Sequence, residues 1–375
     1  MPRGLVSACL ATFLLILACA SFPRGPGVGA ADSSLTPVPT SLAAESLTPI
    51  PLHVGFGVRG PWFEIYFTDP SSPAAAQSSG GLDGRLVAAI DEARLSVHAA
   101  IFSLTLDDVR QALIRAQRRG VDVRVVTESD NLEGEDLQRM RDAGVPVLGD
   151  RREGTMHNKF MVIDGLDVWT GSMNFTVSGT YFDNNVLIRI RSAELAANYE
   201  EEFAEMYVDD KFGEETGRGT PQPLIDIEGA SVEVYFAPDD GVESVIVDLL
   251  DSAKESVDFL AFSFTSNPLG DAVRRAADAG LSVRGVLDED QGASNIGSEL
   301  TMFRAEDLDV RLDGNPGQMH EKVFVVDGEM VVLGSYNFSR NANETNDENV
   351  LIIRNRTIAQ EFVREFERIY SLATP

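Results

Sequence analysis

The chain has 375 residues, 43% of them hydrophobic, and a formal charge of −28 from 59 acidic against 31 basic residues. That composition excludes a wholly disordered chain, and the length allows one large domain or two ordinary ones. The charge repels polyanions over the surface at large, which disfavours generic nucleic-acid binding but says nothing of a small local basic site.

In chain order, "MPRGLVSACLATFLLILACASF" has one Arg and then an apolar run from Leu5 to Ala18, shorter than a membrane span needs. Residues 1–19 read as a secretory signal. Ile16-Leu17-Ala18-Cys19 resembles the lipobox of bacterial lipoproteins, with conventional cleavage near Ala20 or at Gly29-Ala30-Ala31 as the alternative. The expected location is extracytoplasmic, secreted or lipid-anchored to the bacterial cell envelope through Cys19. Both cysteines, Cys9 and Cys19, fall in this segment, so the rest of the chain has no disulfide, no Cys-ligated zinc and no thiol nucleophile. Residues 20–58, rich in Pro, Ser, Gly and Ala without an apolar period, are a predicted linker.

Beyond it the chain runs through one order of elements twice. "WFEIYFTD" matches "SVEVYFAPDD", "ARLSVHAAIFSLT" matches "AKESVDFLAFSFT", and "RRGVDVRVV" matches "DAGLSVRGV". Ser103 and Ser263 stand 160 residues apart, and His157 and His320 stand 163 apart. So long a period predicts a duplicated domain, 59–212 and 225–375, each copy able to bury its own core. Within each copy an amphipathic helix such as "DDVRQALIRAQRRG", ended by Gly120, feeds the β-branched run "VDVRVV". Strand-helix-strand order predicts two tandem α/β/α sandwiches with mixed, mainly parallel sheets, related by a pseudo-twofold axis.

The repeated polar string carries the chemistry: "MHNKFMVIDGLDVWTGSMNF" and "MHEKVFVVDGEMVVLGSYNF". In a strand His157 and Lys159 share a face, as do His320 and Lys322, while Asn158 points away. The Asp-Gly pairs at 164–165 and 327–328 signal hairpins, and counting about Gly165 sets Asn174 beside His157; the same count about Gly328 sets Asn337 beside His320. Lys and Asn suit the nonbridging oxygens of a phosphate, and imidazole is a nucleophile or proton carrier near neutral pH. Two such sets facing each other provide both sides of an in-line displacement at phosphorus. Asp164 and Asp327 read as turn formers, and Ser172 and Ser335, each after a Gly, as local or ligand hydrogen-bonding groups. His53 and His98 lack this matched pattern and read as structural. "ESDN" at 128–131 and "DEDQG" at 288–292 read as solvated loops rather than Ca²⁺ sites.

The doubled H-x-K-x4-D-x6-G-S-x-N resembles the phospholipase D superfamily over roughly residues 60 to 370. The resemblance implies a phosphodiesterase or phosphatidyltransferase that needs no metal or other cofactor, in which one His becomes a phosphohistidine and the other protonates the leaving alcohol. In similar proteins an acidic residue about 28 positions after a His orients it; Glu348 stands 28 after His320. Aligning "FDNNVLI" with "NDENVLI" sets Asn184 at the equivalent place in the first copy. A carboxylate keeps its histidine protonated far better than an amide does, so the expected roles are His157 as nucleophile and His320 as general acid. The expected substrate is a phospholipid at a membrane surface, and the alternatives are a metal-independent nuclease acting on nucleic acid and a noncatalytic phosphate-binding protein. Arg151, Arg152 and Arg340 flank the motifs as candidate phosphate contacts or plain surface residues. No obligate protein partner is inferred.

Overall fold

The computed structural model describes residues 47–374 apart from 216 and 218. The signal, Cys19 and residues 20–46 of the expected linker lie outside the described residues. The remainder of that stretch, residues 47–58, contains strands, and this corrects the linker reading. Ile50 and Val54 are buried there, and Pro49 is tolerated because its strand lies at a sheet edge.

The first sheet consists of β1 (Thr48–Ile50), β2 (Phe56–Arg59), β3 (Phe63–Phe67), β4 (Ser96–Ile101), β5 (Asp122–Thr127), β6 (Val147–Gly149), β7 (Lys159–Ile163), β8 (Asp167–Gly171) and β9 (Val186–Arg191), in the order β1-β2-β3-β9-β8-β7-β4-β5-β6. The second has β10 (Leu224–Ile227), β11 (Ala230–Ala237), β12 (Ser256–Ala261), β13 (Ser282–Leu287), β14 (Asp309–Leu312), β15 (Lys322–Val326), β16 (Met330–Gly334) and β17 (Glu348–Arg354), in the order β10-β11-β17-β16-β15-β12-β13-β14. An α/β fold in two matched halves is thus as expected, but the strand directions are not. Only β4-β5-β6 and β12-β13-β14 run parallel, where helices cross between them; the hairpins and the returning β9 and β17 make every other pairing antiparallel.

The described residues form one compact unit. The long helices Ala193–Tyr207 and Arg356–Leu372 lie in a core shared by both sheets: Tyr199 meets Phe160 of the first sheet at 4.9 Å and Phe236 of the second at 5.1 Å, and Phe362 meets Phe67 at 5.2 Å. Each half closes the apolar face of the other. The opposite faces carry separate cores beneath helices such as Asp83–Glu92 and Val242–Asp251.

Both motif hairpins turn where the Asp-Gly pairs predict. Asp164 and Gly165 have φ of 55° and 61°, Asp327 and Gly328 of 56° and 60°, the two left-handed residues of a type I′ turn. Met161 pairs with Trp169 and Phe324 with Val332, the register counted from the glycines. Each motif Asp ties its turn to the preceding strand: Asp164 accepts from the amides of Arg94, Leu95 and Ser96, and Asp327 from those of Lys254, Glu255 and Ser256.

Gly171 and Gly334 hold the other end of the hairpins. With φ of 155°, Gly334 passes so close to β17 that a Cβ would stand 2.1 Å from the Asn349 carbonyl oxygen. Gly334→Ala is expected to cost about 1–3 kcal/mol of stability, read by denaturant unfolding; an unchanged midpoint would contradict this packing.

Candidate active site

His157 and Lys159 come from the start of β7, and His320 and Lys322 from the start of β15. The two halves interlock here through backbone bridges. His157 N–H donates to the Asp347 carbonyl at 3.0 Å, and Asp347 N–H to that of Thr155; His320 N–H donates to the Asn184 carbonyl at 2.9 Å, and Asn184 N–H to that of Gln318 at 2.7 Å. Each histidine is therefore carried against the strand entry of the opposite half.

This exchange overturns the expected pairing. Glu348 binds Nδ1 of His157, at 2.8 and 2.9 Å, and does not serve His320. Nδ1 of His320 instead meets Oδ1 of Asn185 at 2.9 Å. Asn184, expected beside His157, holds backbone, and its side-chain oxygen accepts from Asn315 at 3.1 Å. The sheet register explains the one-residue error: Ser172 N–H reaches the Val186 carbonyl as Ser335 N–H reaches that of Asn349, so Asn185 is the counterpart of Glu348, 163 residues earlier. The constant spacing of 163 between the histidines was the signal for it, and aligning the local strings hid it. The argument that made His320 the protonated histidine thus loses its premise.

The serines act locally. Ser172 Oγ donates to Asn185 Oδ1 at 2.8 Å and accepts from Val186 N–H, while Ser335 hydrogen-bonds Glu348 and accepts from Asn349 N–H at 3.0 Å. They set the two histidine partners. Each lysine donates from Nζ to the carbonyl of its own histidine at 2.7 Å, and Phe102 and Phe262 lie beneath the imidazoles at 5.0 and 4.8 Å. The phenylalanines, repeated in "IFS" and "AFS", belong to the site and were missed. Asn174 and Asn337 each keep a buried Oδ1 without a partner.

Sequence reading also missed four carboxylates. Glu128 and Asp150 both accept from Met156 N–H, at 3.0 and 3.1 Å, and Asp288 accepts from Met319 N–H at 3.1 Å with Asp313 beside it. All four are buried, so 128 and 288 are not in solvated loops; they clamp the amide just before each histidine. Among the described residues no group of three or more His, Cys, Asp or Glu is arranged to hold a metal. The flanking arginines are engaged locally, Arg151 and Arg152 with Asp210 and Arg340 with Glu344. His98 stacks on Phe203 and binds Glu200, a structural role.

Burial sets the electrostatics. It lowers Lys159 to about 7, against the pull of Glu348, and holds Lys322 well below its ordinary range, with Lys159 adding to the effect. His320 is pushed well below its ordinary range by burial and then by Lys322, Lys159 and His157. His157 is lowered by burial too, but Glu348 opposes this. Burial would raise Glu348, and His157 and Lys159 outweigh it, holding that carboxyl below its usual value. The two histidines and two lysines act on one another's charge, and Glu348, Asp288 and Glu321 act on Lys322 in the opposite sense.

A lysine whose charge is disfavoured only in the fold costs stability fully below about pH 7, and the cost fades toward pH 10.5. Lys159→Met is therefore expected to resist denaturant better than the parent at pH 6, with the advantage shrinking by pH 10. An advantage independent of pH would contradict the burial account.

Two α/β halves that bring matched His and Lys pairs to one buried centre are the arrangement expected of a phospholipase D-like protein. The family described as "Cardiolipin synthase, PLD-like domain" matches residues 86–207 and 246–370, one match in each half, and the chain belongs to that family. It is 39% identical over 124 residues to the human mitochondrial cardiolipin hydrolase, covering 33% of this chain and 49% of that protein. It is 29% identical over 143 residues to the phospholipase D of Rickettsia prowazekii (strain Madrid E), covering 38% of this chain and 69% of that protein. The chain thus spans about half of the human relative's length. Among solved structures, the phosphatidylserine synthase of Haemophilus influenzae Rd KW20 shares the fold, with a TM-score of 0.62 at 14% identity over 79% of this chain and 85% of that one.

Proposed function

We propose that the protein cleaves phospholipid phosphodiester bonds through a phosphohistidine intermediate, with water or a second alcohol as the acceptor. The observation that carries this reading is the junction of the halves: His157 with Lys159 and His320 with Lys322 lie buried and close enough to act on one another's charge, and each imidazole is held at Nδ1 by a side chain of the opposite half. An anion binding there restores their protonation, and a phosphodiester is the anion that the matched in-line geometry fits.

His157 is the nucleophile in this mechanism, now on a different ground. Its Nδ1–H is held by Glu348, which leaves the Nε2 lone pair outward and offsets the positive charge of an N-phosphoryl imidazolium. Nε2 attacks phosphorus, the P–N bond forms, and the P–O bond to the alcohol breaks. His320, its Nδ1–H held by the Asn185 amide oxygen, protonates the departing oxygen from Nε2. Its depressed pKa makes it a ready donor once the bound phosphate has charged it. His320 then takes a proton from the acceptor, whose oxygen displaces His157. Lys159, Lys322, Asn174 and Asn337 bind the nonbridging oxygens throughout.

The lipid names of the relatives support a phospholipid substrate. A paired assay tests it, with phosphatidylcholine or phosphatidylglycerol vesicles in one arm and plasmid DNA in the other, each with and without EDTA. Lipid turnover that survives EDTA is expected. Loss with EDTA would sink the metal-free mechanism, and plasmid cleavage without lipid turnover would make the protein a nuclease.

A further inference from the structure

A cavity of about 790 Å³ lies remote from the histidines. It opens on the face of the first sheet covered by the helix Asp83–Glu92, at the end where β7 turns into β8, whereas His157 precedes the opposite end of β7. Six arginines line it: Arg59, Arg85, Arg94, Arg119, Arg189 and Arg191. On a chain of net charge −28, that convergence runs against the composition.

The duplicate supplies an internal comparison. The helix pairs correspond at a spacing of 160, as the matched ion pairs Arg115–Asp91 and Arg275–Asp251 confirm, and β8 and β9 correspond to β16 and β17 at 163. Arg85, Arg119 and Arg189 then stand where the second copy has Val245, Ala279 and Ile352. The second copy keeps Lys254 and Arg354 opposite Arg94 and Arg191, so Arg85, Arg119 and Arg189 are the charge added in the first copy alone, and the catalytic duplication does not account for that excess.

The acids present do not neutralise all of this charge. Glu64 holds Arg59 at 2.7 Å and Arg189 at 3.1 Å, and Asp167 holds Arg189 and Arg191, both at 2.9 Å, which fixes three guanidinium groups in an array. Asp91 is paired with Arg115 at 2.7 Å and with Arg119 at 3.6 Å, the Asp164 carboxylate is committed to backbone amides, and Glu92 is the remaining acid of the lining. Arg85 has one hydrogen-bond partner, the Pro51 carbonyl at 3.3 Å, and Arg94 has no carboxylate partner among the described residues. The groups left over are fork-shaped donors suited to phosphate oxygens.

We propose that this cavity is a second anion site, which binds a phosphate-bearing ligand independently of the histidine centre. The phosphate belongs to a soluble compound or to a lipid headgroup, and the test separates these. Of the two tryptophans, Trp62 and Trp169, the second lines the cavity, so Trp62→Phe leaves one local reporter. Titration with inorganic pyrophosphate, against sodium chloride of matched ionic strength, is expected to give a saturable change in Trp169 emission. Adding Arg85→Gln with Arg94→Gln should weaken it at least ~10-fold, while turnover at the histidines is unchanged. Flotation with phosphatidylglycerol vesicles is the second arm, and retention lost in the same double variant without a pyrophosphate response assigns the site to a lipid headgroup. No arginine-dependent response in either arm would overturn the proposal, as would a response that persists in the double variant and disappears in His157→Asn.

Discussion

Replacing His157 with Asn is expected to lower kcat by about 10⁴-fold or more while leaving the fold intact. The imidazole is mostly buried, 12% exposed, and its backbone N–H, which bridges to Asp347, is unaffected by the change. Asn preserves a polar group for Glu348 but has no lone pair at the Nε2 position to attack phosphorus. Binding of a nonhydrolysable phosphodiester should therefore survive the substitution, because Lys159, Lys322 and the two motif asparagines remain. Circular dichroism and ligand titration check the fold and the binding; steady-state turnover checks the loss. If turnover fell less than tenfold, covalent catalysis at His157 would be excluded.

Glu348→Gln should cost about 10²–10⁴ in kcat, because it removes the carboxylate that holds Nδ1 of His157 and compensates its charge. Its effect on pH dependence is more discriminating. Glu348 raises the pKa of His157, so removing it lowers that pKa further. A nucleophile must be neutral, and its protonation sets the acid limb of kcat/KM; that limb should move to lower pH in Glu348→Gln. Asn185→Asp makes the reciprocal change, since a carboxylate beside His320 raises its pKa and moves the alkaline limb to higher pH. If Glu348→Gln instead shifted the alkaline limb downward, His157 would be the proton donor and the assigned roles would be exchanged.

Much of this site was legible in the chain. The alternation of a strand puts His157 and Lys159 on one face, and the Asp-Gly turns fix where the far end of each hairpin returns; both follow from local rules that the structure obeys. The partner of each histidine was not legible, because it is set by short bridges between halves, Met156 with Asp347 and Asn184 with Met319, that carry no periodic signature. Glu348 therefore looked like a neighbour of His320, the histidine nearest in sequence. Strand direction failed for a related reason: helix-strand alternation foretold β4-β5-β6, but β3 and β9 meet across more than a hundred residues as antiparallel neighbours. At the N-terminal side, Pro49 and Pro51 masked an edge strand that a buried Ile50 anchors. Glu128 and Asp288 looked like solvated acids because the amides that accompany them, at Met156 and Met319, are distant in the chain.

The division of labour between the histidines is tested most directly with a phosphatidyl ester of p-nitrophenol, whose leaving group departs without a proton. In His320→Asn the first step should proceed and the second stall, giving a stoichiometric burst of p-nitrophenol and, after quenching in alkali to preserve the P–N bond, a phosphoryl adduct on His157 by mass spectrometry; His157→Asn should give neither. A burst from His157→Asn with the adduct on His320 would contradict the assignment.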